Sequence, residues 1–126
     1  MGKREQKPLT KLELAIMQAV WRLGPSTVGQ VQEDLKQELA YTTVQTMLNI
    51  LEKKGHLRRK LRGRSYEYSA VVTEAKASRH AVRDLVDRMF GGSTEQLVMS
   101  LVKTRQLDPK RLAELSQQLA EKEEES

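Results

Sequence analysis

Apolar residues near the start of the chain recur at steps of three and four positions, which is the spacing of one helix face. The stripe consists of Leu12, Ile16, Val20 and Leu23. We predict a first helix over Lys11–Leu23, where Thr10 is the cap and Glu13 completes a capping box. Gly24-Pro25 ends this helix. Trp21 is either a core anchor or a binding contact, and its size favours the core.

A second helix is predicted over Val28–Leu39, with Ser26 or Thr27 as its cap. Its apolar stripe consists of Val28, Val31, Leu35 and Leu39. The link from the first helix is very short, so the two helices must cross closely.

The third predicted helix begins at a capping box formed by Thr42 and Gln45 and ends at Gly55. Its core-facing stripe consists of Val44, Met47, Leu48 and Leu51. No residue from Thr42 to Leu51 is charged, and apart from Ile50 the positions outside the stripe are polar, whereas a merely solvated face more often carries Glu and Lys. Such side chains can hydrogen-bond base edges, and threonine offers a methyl group to thymine. We predict base contacts from Thr42, Thr43, Gln45, Thr46 and Asn49.

A basic β-hairpin is predicted next. Over Leu57–Arg62, positions 57, 59 and 61 (Leu, Arg, Leu) alternate with the basic positions 58, 60 and 62. Gly63 permits a tight turn, and Tyr66 and Tyr68 share one face of the return strand. The basic side chains either protect an exposed strand edge or contact DNA, at its phosphates or by insertion into the minor groove. Their position directly after a candidate recognition helix favours DNA contact. The predicted backbone contacts are Lys11, Lys53, Lys54, Arg58, Lys60, Arg62 and Arg64.

Three short amphipathic helices are predicted in the C-terminal half. The first begins at Thr73 or Ser78 and extends to about Phe90, the second covers residues 94–102 after a Ser93 cap, and the third starts at Asp108-Pro109. Residues 121–126 are predicted to be a frayed acidic end.

Three such helices have too little interior to bury three apolar stripes by themselves. They could pack back on the N-terminal half or interleave with a second copy. We favour the second copy. A helix followed by a basic hairpin is typical of a winged helix, and two paired winged helices recognise a longer DNA site than one does. The predicted dimer-interface residues are Leu85, Met89, Phe90, Leu97, Val98, Leu101, Val102, Leu112, Leu115 and Leu119. The predicted fold is mainly α with a small β-hairpin: a winged helix-turn-helix domain over residues 9–71 and a helical dimerisation domain over residues 72–122.

The charge distribution bears on the partner. The net charge is +5, but residues 1–64 carry thirteen Lys/Arg and six Asp/Glu, whereas residues 65–126 carry nine and eleven. This asymmetry fits either a polyanion partner or a solvated basic surface. The chain has no Cys and two His, which excludes disulfides and thiolate chemistry and gives no support to an enzyme, a metal site or a cofactor. Without an apolar run long enough for a membrane span, the expected location is cytoplasmic.

Several short segments, in this order, resemble one protein family. They are Leu9-Thr10-Lys11-Leu12-Glu13-Leu14, Val20-Trp21, Thr43-Val44, Leu51-Glu52-Lys53-Lys54-Gly55, Tyr66-Glu67-Tyr68, Phe90-Gly91-Gly92 and Leu97-Val98. The chain from Leu9 to the last helix resembles the penicillinase-repressor and methicillin-resistance-repressor (BlaI/MecI) family of bacterial winged-helix regulators.

The resemblance implies a dimeric repressor of a resistance or stress-type operon, bound to a dyad-symmetric operator with TACA- and TGTA-like arms. Helix three would enter the major groove, the hairpin would contact the backbone, and the C-terminal helices would interlock. Repression would be relieved by proteolysis, triggered through a membrane sensor-protease, at about Ser100–Leu101. The alternative hypothesis is a winged-helix protein-interaction module without sequence-specific DNA binding, which predicts no binding to duplex DNA at moderate salt.

Overall fold

The computed structural model describes residues 9–125. Its helices are α1 (Lys11–Leu23), α2 (Val28–Asp34), α3 (Tyr41–Lys53), α4 (Glu74–Met89), α5 (Thr94–Lys103) and α6 (Pro109–Glu125). The strands β1 (Leu57–Arg62) and β2 (Ser65–Ala70) form a two-stranded antiparallel sheet. The predicted fold class, mainly α with a small β-hairpin, is confirmed. The tail predicted before Leu9 lies outside the described residues, as does Ser126.

Side-chain caps fix the starts of the first two helices. The Thr10 hydroxyl accepts a hydrogen bond from the Glu13 backbone N–H at 3.1 Å, and Glu13 Oε1 accepts one from the Thr10 N–H at 2.8 Å. Thr27 and Gln30 make the same reciprocal pair at the start of α2. The predicted capping box of α1 is confirmed, and Thr27 rather than Ser26 caps α2.

The predicted end of the second helix is wrong. Helix α2 ends at Asp34 rather than at Leu39, because Leu35 already has an extended backbone with φ −67° and ψ 136°. Leu35 and Leu39 nevertheless pack against the core, and the Gln32 side-chain amide donates to the Leu39 carbonyl at 2.9 Å. The helical spacing of these two leucines therefore indicated their burial correctly, although the segment that carries them leaves the helix.

The predicted capping box at Thr42 and Gln45 is also wrong. The N-cap of α3 is Ala40, which makes no side-chain cap hydrogen bond. An N-cap residue has an extended backbone, whereas Thr42 already lies within the helix. Its hydroxyl therefore cannot cap α3. Thr42 and Gln45 are both exposed instead.

The first compact unit extends to Ala81 and contains the winged helix. Its core joins one face of each of the first three helices to the base of the hairpin. The buried residues are Ile16, Met17, Ala19, Val20, Val28, Val31, Val44, Leu48, Leu51, Leu57 and Tyr68. Trp21 packs against this core and donates its indole N–H to the Val72 carbonyl at 2.9 Å, as the core-anchor interpretation predicts.

The hairpin is tied to the link between α1 and α2. The backbone N–H of Tyr68 donates to the Ser26 carbonyl at 2.7 Å, and the Ser26 N–H donates to the Tyr68 carbonyl at 2.9 Å. Tyr68 is 1% exposed, whereas Leu61 and Tyr66, nearer the turn, are 58% and 42% exposed. Gly63 has φ +64° at the turn, a conformation that costs glycine little. The base of the hairpin thus belongs to the core, and its tip extends beyond it.

The second compact unit begins at Val82, within α4, and continues through α5 and α6. The side chains that accept backbone hydrogen bonds at the starts of α4, α5 and α6 are those of Thr73, Ser93 and Asp108. Helix α6 continues to Glu125, so the frayed end predicted from residue 121 is wrong; Glu, Lys and Ala in this stretch are good helix formers. The domain boundary predicted after residue 71 stays a prediction.

Candidate nucleic-acid interface

Helix α3 has an exposed polar side opposite its buried stripe. Positions 42, 46, 49 and 53 recur at steps of four, three and four, so they lie along one side of the helix. Val44, Leu48 and Leu51 are fully buried on the other side, as predicted, while Met47 is half-buried. Four of the predicted base contacts, Thr42, Thr43, Gln45 and Thr46, are exposed and could meet a ligand.

Asn49, the fifth predicted base contact, is half-buried and bonded to the hairpin. Its Oδ1 accepts hydrogen bonds from the Tyr68 hydroxyl at 2.6 Å and from Arg59 Nη1 at 3.2 Å. Because a guanidinium can only donate, the atom that faces Arg59 is the amide oxygen of Asn49 and not its nitrogen. Asn49 therefore connects α3 to both strands of the hairpin.

The two faces of the hairpin differ in chemistry. In the strand register Leu57 pairs with Ala70, Arg59 with Tyr68, and Leu61 with Tyr66. Since side chains alternate along a strand, these six residues share one face, which is the face that meets the core. The opposite face carries Arg58, Lys60, Arg62, Ser65, Glu67 and Ser69. Three of the predicted phosphate contacts thus lie together on the outer face, and Arg64 is exposed at the turn.

Arg59 is a site residue that the sequence analysis missed. Its guanidinium carbon lies 4.4 Å from the centre of the Tyr66 ring, in addition to its hydrogen bond with Asn49. The strand alternation was a signal that could have identified it. Arg59 lies on the same strand face as Leu57 and Leu61, whereas the basic residues assigned to phosphates lie on the opposite face.

Two of the predicted phosphate contacts form ion pairs within the protein. Lys54 Nζ lies 2.7 Å from Glu13 Oε2, and Arg62 Nε lies 3.6 Å from Glu67 Oε1. The other five are exposed and make no ion pair with any residue of the range 9–125. They are Lys11, Lys53, Arg58, Lys60 and Arg64.

The Glu13 carboxylate is almost completely buried, at 3% exposure. Burial by itself raises its pKa, but the hydrogen bonds from Lys54 and the Thr10 backbone outweigh burial and leave the pKa below its usual value. The half-buried His56 lies at the junction of α3 and β1. Burial lowers the pKa of His56, and the charge of Lys54 acts in the same direction against that of Glu13. Glu13, Lys54 and His56 therefore interact with one another where α1 meets the end of α3.

The residues predicted for dimerisation and cleavage lie on α4, α5, α6 and the turn after α4. In the single chain Leu85, Met89, Val98 and Leu119 are exposed, and the other six are half-buried. The proposed scissile pair, Ser100 and Leu101, is half-buried within α5.

Within residues 9–125, no three side chains of the types His, Asp and Glu lie close enough together to hold a metal ion. In the same range, none of the helices has the length and apolarity needed to cross a membrane.

Known proteins resemble the chain over most of its length. The penicillinase repressor of Bacillus licheniformis is 26% identical over 115 residues, covering 90% of this chain and 90% of that protein. An uncharacterized 16.5 kDa protein of Latilactobacillus sakei is 28% identical over 116 residues, and the aligned region covers 90% of this chain and 80% of that protein. The solution structure of the B. licheniformis BlaI monomer with the blaP half-operator aligns with a TM-score of 0.49 and 26% identity, over 59% of this chain and 93% of that chain.

The family model described as Penicillinase repressor matches residues 9–121, which is nearly the whole of the chain. The resemblance drawn from the short segments is confirmed. The chain belongs to the penicillinase repressor family of DNA-binding transcriptional repressors.

Proposed function

We propose that this repressor is a homodimer that binds a dyad-symmetric operator, with α3 in the major groove and the hairpin on the sugar-phosphate backbone. The observation that carries the proposal is the exposed, uncharged polar side of α3 beside a hairpin whose outer face is basic. Its expected location is the cytoplasm, where the operator lies.

The exposed side of α3 suits base edges. Thr42, Thr43 and Thr46 offer hydroxyl and methyl groups, and the Gln45 amide can donate to N7 of an adenine and accept from its N6 amino group simultaneously. A side without charge gains little from phosphates alone, so its contribution would depend on the base sequence.

The outer face of the hairpin suits phosphates. Arg58 and Lys60 are exposed and have no ion-pair partner among the described residues, and Arg64 lies beside the turn. Cations that neutralise phosphates release condensed counterions, which makes binding fall steeply with salt. Lys11 and Lys53 would extend these contacts along the backbone.

The second unit supplies the reason to propose a dimer. Among the described residues from Val82 onward, Val86 alone is buried, whereas Leu85, Met89 and Leu119 are 43%, 71% and 65% exposed. Apolar stripes of this extent are rarely left in water. A second copy of the same helices would cover them and would set two α3 helices at the spacing of two half-sites.

We further propose that repression is relieved by cleavage at Ser100–Leu101 by a membrane sensor-protease. The Ser100 carbonyl accepts hydrogen bonds from the Thr104 N–H at 2.9 Å and from the Thr104 hydroxyl at 2.7 Å. A protease binds its substrate extended, so this turn of α5 must open first. Mass spectrometry of the repressor from derepressed cells tests the proposal, and full-length protein there would exclude it.

Operator binding is tested with the inverted repeat upstream of the protein's own reading frame. The purified protein should retard a duplex that carries this repeat and should not retard a scrambled duplex of equal length and base composition. A duplex with one half-site should bind more weakly than the whole repeat. Absence of binding to any duplex at moderate salt would favour the protein-interaction hypothesis instead.

A further inference from the structure

We propose that Asn49, Arg59, Tyr66 and Tyr68, the Asn49 cluster, are positioning residues that hold the hairpin at a fixed angle to α3. The proposal rests on the proposed function, in which α3 and the hairpin must contact one operator together. It assigns Asn49 a different role from the base contact expected from the sequence.

The hydrogen bonds of Asn49 decide between the two roles. Both acceptor positions of Oδ1 are used, one by the Tyr68 hydroxyl at 2.6 Å and one by Arg59 Nη1 at 3.2 Å. Asparagine recognises adenine through its oxygen and its nitrogen together. Asn49 cannot make that bidentate contact without giving up its bonds to the hairpin.

Tyr68 gives the cluster a rigid base. Its side chain is 1% exposed, and its backbone pairs with Ser26 in both directions, at 2.7 and 2.9 Å. The ring therefore cannot shift independently of the core, and its hydroxyl holds Asn49 from the side of β2.

Arg59 extends the cluster to the other strand. It lies opposite Tyr68 in the register, donates to Asn49, and has its guanidinium 4.4 Å from the centre of the Tyr66 ring. Tyr66 lies closer to the turn, where the hairpin leaves the core. The structure describes every residue of α3 and of the hairpin. Between these two elements, the only side-chain hydrogen bonds are the two that Asn49 accepts.

Loss of the contacts within the cluster, with the positive charge at position 59 kept, would let the hairpin move against α3 without changing the charge of the interface. Affinity for arbitrary DNA depends chiefly on charge. Affinity for one preferred sequence also requires base and phosphate contacts to fit at the same time. The cluster should therefore contribute to sequence preference more than to general affinity.

Two substitutions that conserve charge test this inference, Arg59→Lys and, as its control, Arg83→Lys. Arg83 is an exposed arginine of α4 that makes no hydrogen bond or ion pair within the described residues and is not among the predicted DNA contacts. The probes are a duplex selected by the wild-type protein from a randomised pool and a scrambled duplex of equal composition. Arg59→Lys should reduce the ratio of the two affinities about three- to tenfold, the effect of losing one hydrogen bond of ordinary strength. The slope of log affinity against log salt should stay unchanged in both variants, because neither changes the net charge.

Tyr68→Phe is the second variant, since it removes the hydroxyl and keeps the buried ring. It should reduce the same ratio, with a thermal melt that confirms folding. The proposal is overturned if Arg59→Lys and Arg83→Lys behave alike, or if Arg59→Lys weakens binding to both duplexes equally.

A measurement without DNA separates this proposal from the proposed function. Backbone ¹⁵N relaxation at Gly63 should show greater motion of the turn in Arg59→Lys than in the wild type or in Arg83→Lys. If the wild type preferred no sequence, operator recognition would fail while the relaxation data still reported on the cluster. Unchanged relaxation in Arg59→Lys, with sequence preference intact, would reject the cluster alone.

Discussion

Lys54 Nζ lies 2.7 Å from Oε2 of Glu13, and the other oxygen of this buried carboxylate accepts the Thr10 backbone N–H at 2.8 Å. One carboxylate therefore caps the start of α1 and also fixes the residue that follows α3. Lys54 is 46% exposed in its side chain, but its ammonium group is directed to Glu13. Its role in the scaffold competes with the phosphate contact predicted from the sequence.

Lys54→Met should lower the free energy of unfolding by about 1–2 kcal/mol, because it leaves a buried carboxylate without its cation while the exposure of the pair moderates the loss. Urea denaturation measures this value. The control is Lys53→Met, one residue earlier, which is exposed and should change stability by less than about 0.5 kcal/mol. Equal losses in the two variants would show that the ion pair contributes nothing specific.

The same two variants should behave in the opposite order on DNA. Lys53 has no ion-pair partner among the described residues, so Lys53→Met should lower the salt slope of operator binding by about one. Lys54→Met should lower it by less. A larger effect at Lys54 would mean that its ammonium group leaves Glu13 for a phosphate on binding.

Stability should fall on the acid side in two stages. The folded pKa of His56 lies below 6.5 and that of Glu13 below 4.5, so in each case the unfolded chain binds more protons between the two values. The contribution of His56 is present above pH 6.5 and is lost as the pH falls through the folded pKa. That of Glu13 is present above pH 4.5 and is lost at lower pH in the same way.

Chemical denaturation from pH 8 to pH 3 tests both stages. His56→Gln should flatten the first stage and Glu13→Gln the second, although Glu13→Gln also weakens the α1 cap. His80→Gln, at an exposed position of α4, is the control for the first stage. Retention of the whole pH dependence in His56→Gln would assign the first stage to other groups.

Much of this fold follows from local pattern, because caps and apolar spacing are local properties. Thr10 with Glu13 and the buried stripe of α3 were predicted from spacing alone. The end of α2 was not, since Leu35 and Leu39 reach the core from a non-helical segment and have the same spacing in either case. The bonds of Asn49 were not predictable either, because Arg59 and Tyr68 approach it only once the hairpin has folded over α3.

Arg64→Ala and Arg62→Ala should each lower the salt slope of operator binding by about one. Arg62→Ala should cost more affinity than Arg64→Ala. In the wild type, Arg62 Nε lies 3.6 Å from Glu67 Oε1, so the substitution leaves the negative charge of Glu67 unneutralised beside the phosphates. Each variant should lose the same amount of affinity on operator DNA as on scrambled DNA. The control is Arg83→Ala, an exposed arginine on α4. An unchanged slope in both hairpin variants would exclude the hairpin as a phosphate contact.

Gln45→Ala should change the preferred sequence instead of the general affinity. Loss of one side chain that contacts a base costs about 1–3 kcal/mol at the recognised base pair and little elsewhere. Selection from a randomised pool by the variant should relax one position in each half-site. Glu33→Ala, at an exposed position of α2, should leave the selected sequence unchanged. An equal loss on every duplex would rule out base recognition by Gln45.

Met89→Lys tests the proposed dimer. Met89 is 71% exposed in the single chain, so in a monomer the new charge should change stability by less than about 0.5 kcal/mol. In a dimer that buries Met89, the same lysine would be taken out of water without a partner, and association should be lost. Asp87→Lys places the same side chain on the opposite side of α4 and is the matched control.

Sedimentation equilibrium should show a dimer for the wild type and for Asp87→Lys, and a monomer for Met89→Lys. The melting temperature should rise with protein concentration in the first two proteins only, because association stabilises the folded state by mass action. Met89→Lys should then bind the whole repeat no better than a single half-site, since two α3 helices are no longer joined. A dimeric Met89→Lys protein would place the interface on other residues of the C-terminal helices, and a monomeric wild type would remove the proposed dimer altogether.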